Sequence, residues 1–212
     1  MKLYAGTTEQ FRADTQMHRI AEKLRAEYTA QIGHKPGPSE MASWQNSLMA
    51  LSMLVDQAEL NDHGVILEYQ LGNTSRRLDA MLTGHSPTSA ENAVVVELKQ
   101  WSDGTIGPST ADNCVELSIG KRFRRVLHPS VQVGGYQQWL LDNHSVFYET
   151  DAVALSAVSF LLNPLRTTRR ALSRWAEAPI AVVQASVEII VTPVIVMASR
   201  FRLTSPARGA ND

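Results

Sequence analysis

The chain has 212 residues, 44% of them hydrophobic, enough to bury the core of one medium domain with or without an appendage. Its formal net charge of −1 offers no global basic field, so any nucleic-acid binding must rest on a local patch. The single cysteine, Cys114, excludes an internal disulfide framework and every multi-cysteine zinc site and suits a reducing cytoplasm, and the polar N-terminus lacks the apolar core of a secretory signal.

In chain order, Thr7 and Gln10 have the spacing of a capping box, and Met17, Ile20, Leu24 and Tyr28 recur at helical intervals up to Gly33, predicting a first helix. After the turn HKPGPS, the residues Trp44, Leu48, Leu51, Val55 and Ala58 define one apolar face of a second helix. Three segments rich in strand formers follow: Val65 to Leu71, Arg77 to Thr83 and Ala93 to Gln100. The turn-rich gaps between them predict an antiparallel meander. Residues 101–127 read as a loop with room for a short hairpin, ending in the basic cluster KRFRR. His128 and Pro129 open a helix to about Asn143, and Val153 to Leu162 reads as a further strand. The order helix, three strands, helix, strand describes an α/β sandwich built on a mixed sheet.

The third strand carries the chemistry. Alternation puts Val95, Glu97 and Lys99 on one side and Val94, Val96 and Leu98 on the other. Asp79, on the preceding strand, shares a side with Arg77 and Met81, opposite Leu78, Ala80 and Leu82, and a hairpin pairing brings it beside Glu97 and Lys99. Two carboxylates suit a hard Mg²⁺ or Mn²⁺ ion, and a lysine suits negative charge developing on a phosphodiester. An isolated Glu-x-Lys is more often a solvated surface pair.

Two further acids stand near. Glu68 lies inside the first predicted strand, on the face opposite Leu67 and Tyr69, where it requires a partner, water or a metal, and Glu40 opens the second helix. Arg76, Arg77, Lys121, Arg122, Arg124 and Arg125 are cations available to phosphates, although a charge run is usually a solvated face. Gly134 and Gly135 inside the last helix each cost about 1 kcal/mol relative to alanine, which predicts a close backbone approach to the sheet or to a substrate strand.

This constellation resembles the PD-(D/E)XK nuclease superfamily, with Asp79 as the motif aspartate, Glu97-Leu98-Lys99 as the (D/E)XK element, and Gln132 and Tyr136 matching the Q-x-x-x-Y signature of its RecB-like branch. The stretches SWQNSL, LEYQL, RRLDAMLTG, VVVELKQWS and HPSVQVGGY together resemble the N-terminal nuclease-like domain of Schlafen-group-3-like DNA/RNA helicases, over roughly residues 1–162. No proline precedes Asp79, a departure from the motif's name. The resemblance implies a restriction-endonuclease-like sandwich and hydrolysis of phosphodiester bonds in nucleic acid, DNA ahead of RNA, with Mg²⁺ or Mn²⁺. It implies metal ligation by Asp79, Glu97 and either Glu68 or Glu40, catalysis by these acids with Lys99, and nucleic-acid contacts from Gln132 and Tyr136.

No G-x-x-x-x-G-K-[ST] occurs in the chain, so the motor of the longer relatives is absent from it. Two alternatives therefore stay open: a non-catalytic nucleic-acid-binding module, and a helicase-associated fragment that needs its motor as a partner. After Asn163 the apolar run APIAVVQASVEIIVTPVIVMA is broken by Gln184, Glu188 and Pro193, which argues against a transmembrane helix. The expectation is a domain over residues 1–162 and a divergent or truncated tail over residues 163–212, with the tail a seat for self-association.

Overall fold

The structure is a computed structural model that describes residues 1–72, 74–85, 90–101, 106–119, 122–162 and 181–185. It begins with a strand, β1 (Tyr4–Thr7), and three helices, α1 (Thr8–Gln16), α2 (Ile20–Ile32) and α3 (Pro38–Gln57). Strands β2 (Gly64–Gln70), β3 (Arg77–His85) and β4 (Glu91–Gln100) follow as the predicted meander. Next come β5 (Ile106–Pro108), β6 (Cys114–Ile119) and β7 (Arg122–Leu127), then α4 (Pro129–Asn143), β8 (Ala154–Leu162) and β9 (Ala181–Ala185). The main sheet has the order β1-β2-β3-β4-β8-β9, and β5-β6-β7 form a second, small sheet. The β4–β8 and β8–β9 pairs are parallel and the other pairs of the main sheet antiparallel, so the sheet is mixed, as the element order predicts.

Two helical layers cover this sheet. On one side Trp44, Leu48, Leu51 and Val55 of α3 pack with Phe11, Leu24, Val65, Leu67, Ala80, Leu82, Val96 and Phe160. On the other, Val133, Tyr136 and Leu140 of α4 pack with Leu78, Met81, Ala93, Val95 and Ala157. The crossover helix α4 is what allows β8 to lie parallel to β4.

The predicted first helix is two helices. The capping box at Thr7 and Gln10 forms as expected, but α1 stops at Gln16, and His18 adopts φ 54 before α2 begins. Met17, counted in the apolar stripe, is 62% exposed. The break is held by Asp14, a buried carboxylate that accepts from Lys23 Nζ at 2.6 Å and pairs with Arg19 at 3.2 Å. An ion cluster at the joint thus overrides a continuous helical period.

Strand β1 was not expected; it is four residues long and adds to the edge of β2 from Tyr4↔Leu67 to Thr7↔Gly64. The region read as a loop holds three strands instead of one short hairpin, and Ile106, Val115 and Leu161 bury one face of them. Its strands alternate small, polar and apolar residues too briefly for periodicity to show. Five residues of the predicted tail, Ala181–Ala185, extend the main sheet beside β8, and the rest of that tail lies outside the described residues. Among the described residues no helix is long and apolar enough to cross a membrane.

Gly72, in the turn from β2 to β3, sits at φ 55, and a Cβ there would lie 2.8 Å from the Trp139 ring. Both the left-handed backbone and the indole of α4 demand glycine. Gly72→Ala is expected to lower stability by about 1–3 kcal/mol; denaturant unfolding monitored by circular dichroism measures it.

Candidate active site at the splayed ends of β3 and β4

The β3–β4 ladder is in register from His85↔Glu91 to Ala80↔Val96. One position beyond its end, Asp79 accepts the Leu98 N–H on its own carboxylate, Oδ2, at 2.7 Å. Asp79 thereby sits against the backbone between Glu97 and Lys99. On its other side, Leu67↔Ala80 and Tyr69↔Leu78 bracket Glu68, so Glu68, Asp79 and Glu97 occupy one row across three neighbouring strands.

This row does not share one face. Glu68 adopts φ 53, a left-handed conformation in mid-strand, and the alternation of β2 reverses there. Leu67 packs in the α3 layer and Tyr69 against the α4 layer, while Glu68 turns towards α3, where Trp44 Nε1 donates to its Oε1 at 2.7 Å. The expectation that Glu68 lies opposite Leu67 is therefore corrected by a backbone conformation that a period-two reading excludes. A similar correction applies to β3. Arg77 reaches the α3 side and Met81 packs on the α4 side, while Leu78 and Ala80 belong to opposite layers.

Arg77 binds the two outlying acids. Its Nε pairs with Glu68 and its Nη2 with Glu40, and the guanidinium carbon lies 5.7 Å from the centre of the Tyr28 ring and 6.0 Å from that of Trp44. Arg77 is thus an internal counter-ion and is not among the cations free for phosphate. These residues with Asp79 and Tyr136 line a groove of about 690 Å³ at the end of the sheet.

Glu97 points the other way, beneath α4. It is 1% exposed, and its Oε1 accepts from Lys99 Nζ and, at 2.7 Å, from Gln132 Nε2. Gln132 Nε2 also lies 2.7 Å from the Tyr136 hydroxyl oxygen, so Gln132 meets the carboxylate directly and Tyr136 meets it through Gln132. The Glu97 Oε2 atom is buried and has no hydrogen-bond partner among the described residues. Both donors, the Lys99 ammonium and the Gln132 amide, go to Oε1, so the two oxygens of this carboxylate stand in different surroundings.

Like charges in a dry setting disfavour ionisation. Burial, and then the negative charge of Asp79, push the Glu97 carboxyl up to about 8 against the pull of Lys99. Burial and Asp79 likewise push Glu68 up to about 8, against Arg77 and the Trp44 N–H. Burial raises Asp79 too, although Lys99 and the Leu98 N–H favour its anion.

Arg76 lines the same groove and is exposed. Arg122, Arg124 and Arg125 are exposed on β7, and Lys121 lies outside the described residues. His128 acts as the predicted helix start, its Nδ1 accepting from Ser130 N–H at 3.2 Å. Of the two approaches expected at Gly135, that to the sheet is not made, since an added Cβ would meet nothing within 4 Å. Among the described residues no group of three or more Asp, Glu, His or Cys side chains converges as a ready metal cage. Sequence reasoning missed Trp44 as a partner of Glu68; it read Trp44 as core, which it also is, and its indole N–H carries no sequence signal of its target.

A scan against protein-family models finds no match to this chain, and searches of curated proteins and of solved structures find none either.

The raised carboxyl groups set a pH dependence. A group titrating near 8 when folded and near 4.5 otherwise binds more protons in the folded state, so its stabilisation is full below about 4.5 and is lost as pH rises through about 8. His128, which burial pulls down to about 4, acts in the opposite sense below about 6.5. In EDTA the melting temperature is therefore expected to fall between pH 6.5 and 8, and Glu97→Gln to flatten that fall; thermal scans by circular dichroism at several pH values measure both.

Proposed function

We propose that this chain is a divalent-metal-dependent nuclease of the PD-(D/E)XK type, cleaving phosphodiester bonds of nucleic acid. One observation carries the reading: Asp79 binds the backbone N–H between Glu97 and Lys99, while Glu97 keeps a buried oxygen without a partner among the described residues. A surface Glu-x-Lys pair would need none of that arrangement.

The donor set fits Mg²⁺ or Mn²⁺, which one or two carboxylates hold with water and phosphate oxygens completing the shell. Asp79 and Glu97 are the residues to hold it. Glu68 and Glu40, the alternatives for a third ligand, are both paired to Arg77 and support the site from outside. When bound, such an ion supplies positive charge against the phosphodiester and acidifies water. Gln132 keeps the Glu97 carboxylate from rotating, and Tyr136 holds Gln132. Lys99 presents its ammonium beside Glu97, placed to meet negative charge on the phosphate as it develops. Raised carboxyl pKa values are what an acidic pair shows before a cation neutralises it.

The burial of Glu97 favours a second reading, a nucleic-acid-binding module that keeps this fold without cleaving. Divalent metal separates the two. The nuclease cleaves one or more of single- or double-stranded DNA and RNA in Mg²⁺ or Mn²⁺ and none in EDTA, whereas the module binds and never cleaves. For the nuclease, Glu97→Gln and Lys99→Ala are each expected to lower the cleavage rate by roughly 100-fold or more with the far-ultraviolet circular dichroism unchanged. Wild-type rates in both purified variants would remove these residues from the chemistry.

A further inference from the structure

Three buried side-chain oxygens near the start of α4 have no hydrogen-bond partner among the described residues: Glu97 Oε2, Ser159 Oγ and Ser130 Oγ. Their residues are 1%, 0% and 2% exposed, so bulk water does not reach them. An ionised carboxylate oxygen accepts and a hydroxyl donates, so the needs of these atoms are complementary.

Register decides which hydroxyl belongs to Glu97. In the parallel β4–β8 pair, Glu97 stands opposite Ser159. Neighbouring strands lie about 4.8 Å apart, so two partners that share a face stand side by side. Ser159 does share the face of Glu97. Its neighbours Val158 and Phe160 pack in the α3 layer, which by alternation turns Ser159, like Ala157, to the α4 layer where Gln132 meets Glu97. Gln137 Nε2 donates to the Leu155 carbonyl at 2.8 Å, holding α4 along β8. Ser130 is two positions before Gln132 in α4, and that spacing turns it to a different face of the helix.

A carboxylate offers four acceptor positions, two on each oxygen. Lys99 and Gln132 both donate to Oε1, which leaves the two positions of Oε2. A divalent ion would use one of them. A donor on the other fixes the direction of the ligand oxygen, as donors behind metal ligands do.

We propose that Ser159 is a positioning residue for the metal-binding oxygen of Glu97, its hydroxyl donating to Oε2 while Lys99 and Gln132 hold Oε1. This assignment rests on the nuclease reading and adds to its site a residue from β8, outside the acidic row of β2, β3 and β4. The competing account is that Ser159 is merely small enough to fit under α4, in which case its hydroxyl is dispensable.

Isothermal titration calorimetry of Mn²⁺ into the full chain, with no nucleic acid present, tests it without cleavage. Ser159→Ala lowers the Mn²⁺ affinity roughly 10- to 100-fold, the usual effect of losing a donor behind a metal ligand. It leaves the melting temperature in EDTA unchanged, because the hydroxyl has no partner there to lose. Ser159→Thr and Ser159→Val match in shape and differ in the hydroxyl, so the threonine variant keeps the affinity and the valine variant loses it. Ser130→Ala binds Mn²⁺ as wild type does. Equal affinities in the threonine and valine variants, wild-type affinity in Ser159→Ala, or a loss that comes with a lowered melting temperature in EDTA each overturn the role of Ser159. None of these touches the nuclease reading, which the same titration of Glu97→Gln checks through its loss of Mn²⁺ binding. A wild-type chain that takes up no Mn²⁺ and cleaves no nucleic acid overturns both.

Discussion

Three carboxylates in one row across neighbouring strands is the constraint around which this molecule is arranged. Glu68, Asp79 and Glu97 stand where the β2–β3 and β3–β4 registers place them side by side, in surroundings dry enough to raise all three carboxyl groups. Such a row is unfavourable unless cations or donors separate its charges. The structure answers differently for each acid. Glu68 is turned by its left-handed backbone into the α3 layer and given to Arg77 and Trp44. Glu97 goes beneath α4 to Lys99 and Gln132. Asp79, between them, takes a backbone N–H that the ladder no longer uses.

That separation explains why each layer contributes polar side chains at one end of the sheet and apolar ones elsewhere. In α3, Trp44 packs in the core through its ring and donates through its edge, while Leu48, Leu51 and Val55 are purely apolar. In α4, Gln132 and Tyr136 meet Glu97, and Val133 and Leu140 fill the layer behind them. Both helices therefore act as second supports for carboxylates as well as cover for the sheet. The backbone at Glu68, in a conformation that disfavours side chains with a Cβ, is stabilised by the ion pair and hydrogen bond it makes possible.

The same arrangement assigns different work to the arginines. Arg77 is fixed by two carboxylates and two aromatic rings, so its charge is spent within the fold. The arginines of β7 are exposed, with Arg125 3.8 Å from Glu116. The sequence groups these residues as one set of cations flanking the proposed site; burial separates them.

Local pattern was enough for several parts of the fold. The Thr7 capping box, the Trp44–Leu48–Leu51–Val55 stripe, the meander and the Pro129 helix start depend on neighbours within one turn or one strand, and they lie where periodicity puts them. The nearness of Asp79 to Glu97 and Lys99 was legible for the same reason, because a hairpin register follows from strand lengths and turns. The rest was decided by contacts between distant segments. Asp14 with Lys23 and Arg19 breaks the first helix, Leu161 anchors a small sheet in what reads as a loop, and Trp44 and Arg77 hold Glu68 away from its expected face. A period of two fixes side-chain direction only while every residue keeps extended backbone angles, and the left-handed turn at Glu68 reverses it; the partners that stabilise that turn come from a helix and another strand, so only the tertiary structure could set it.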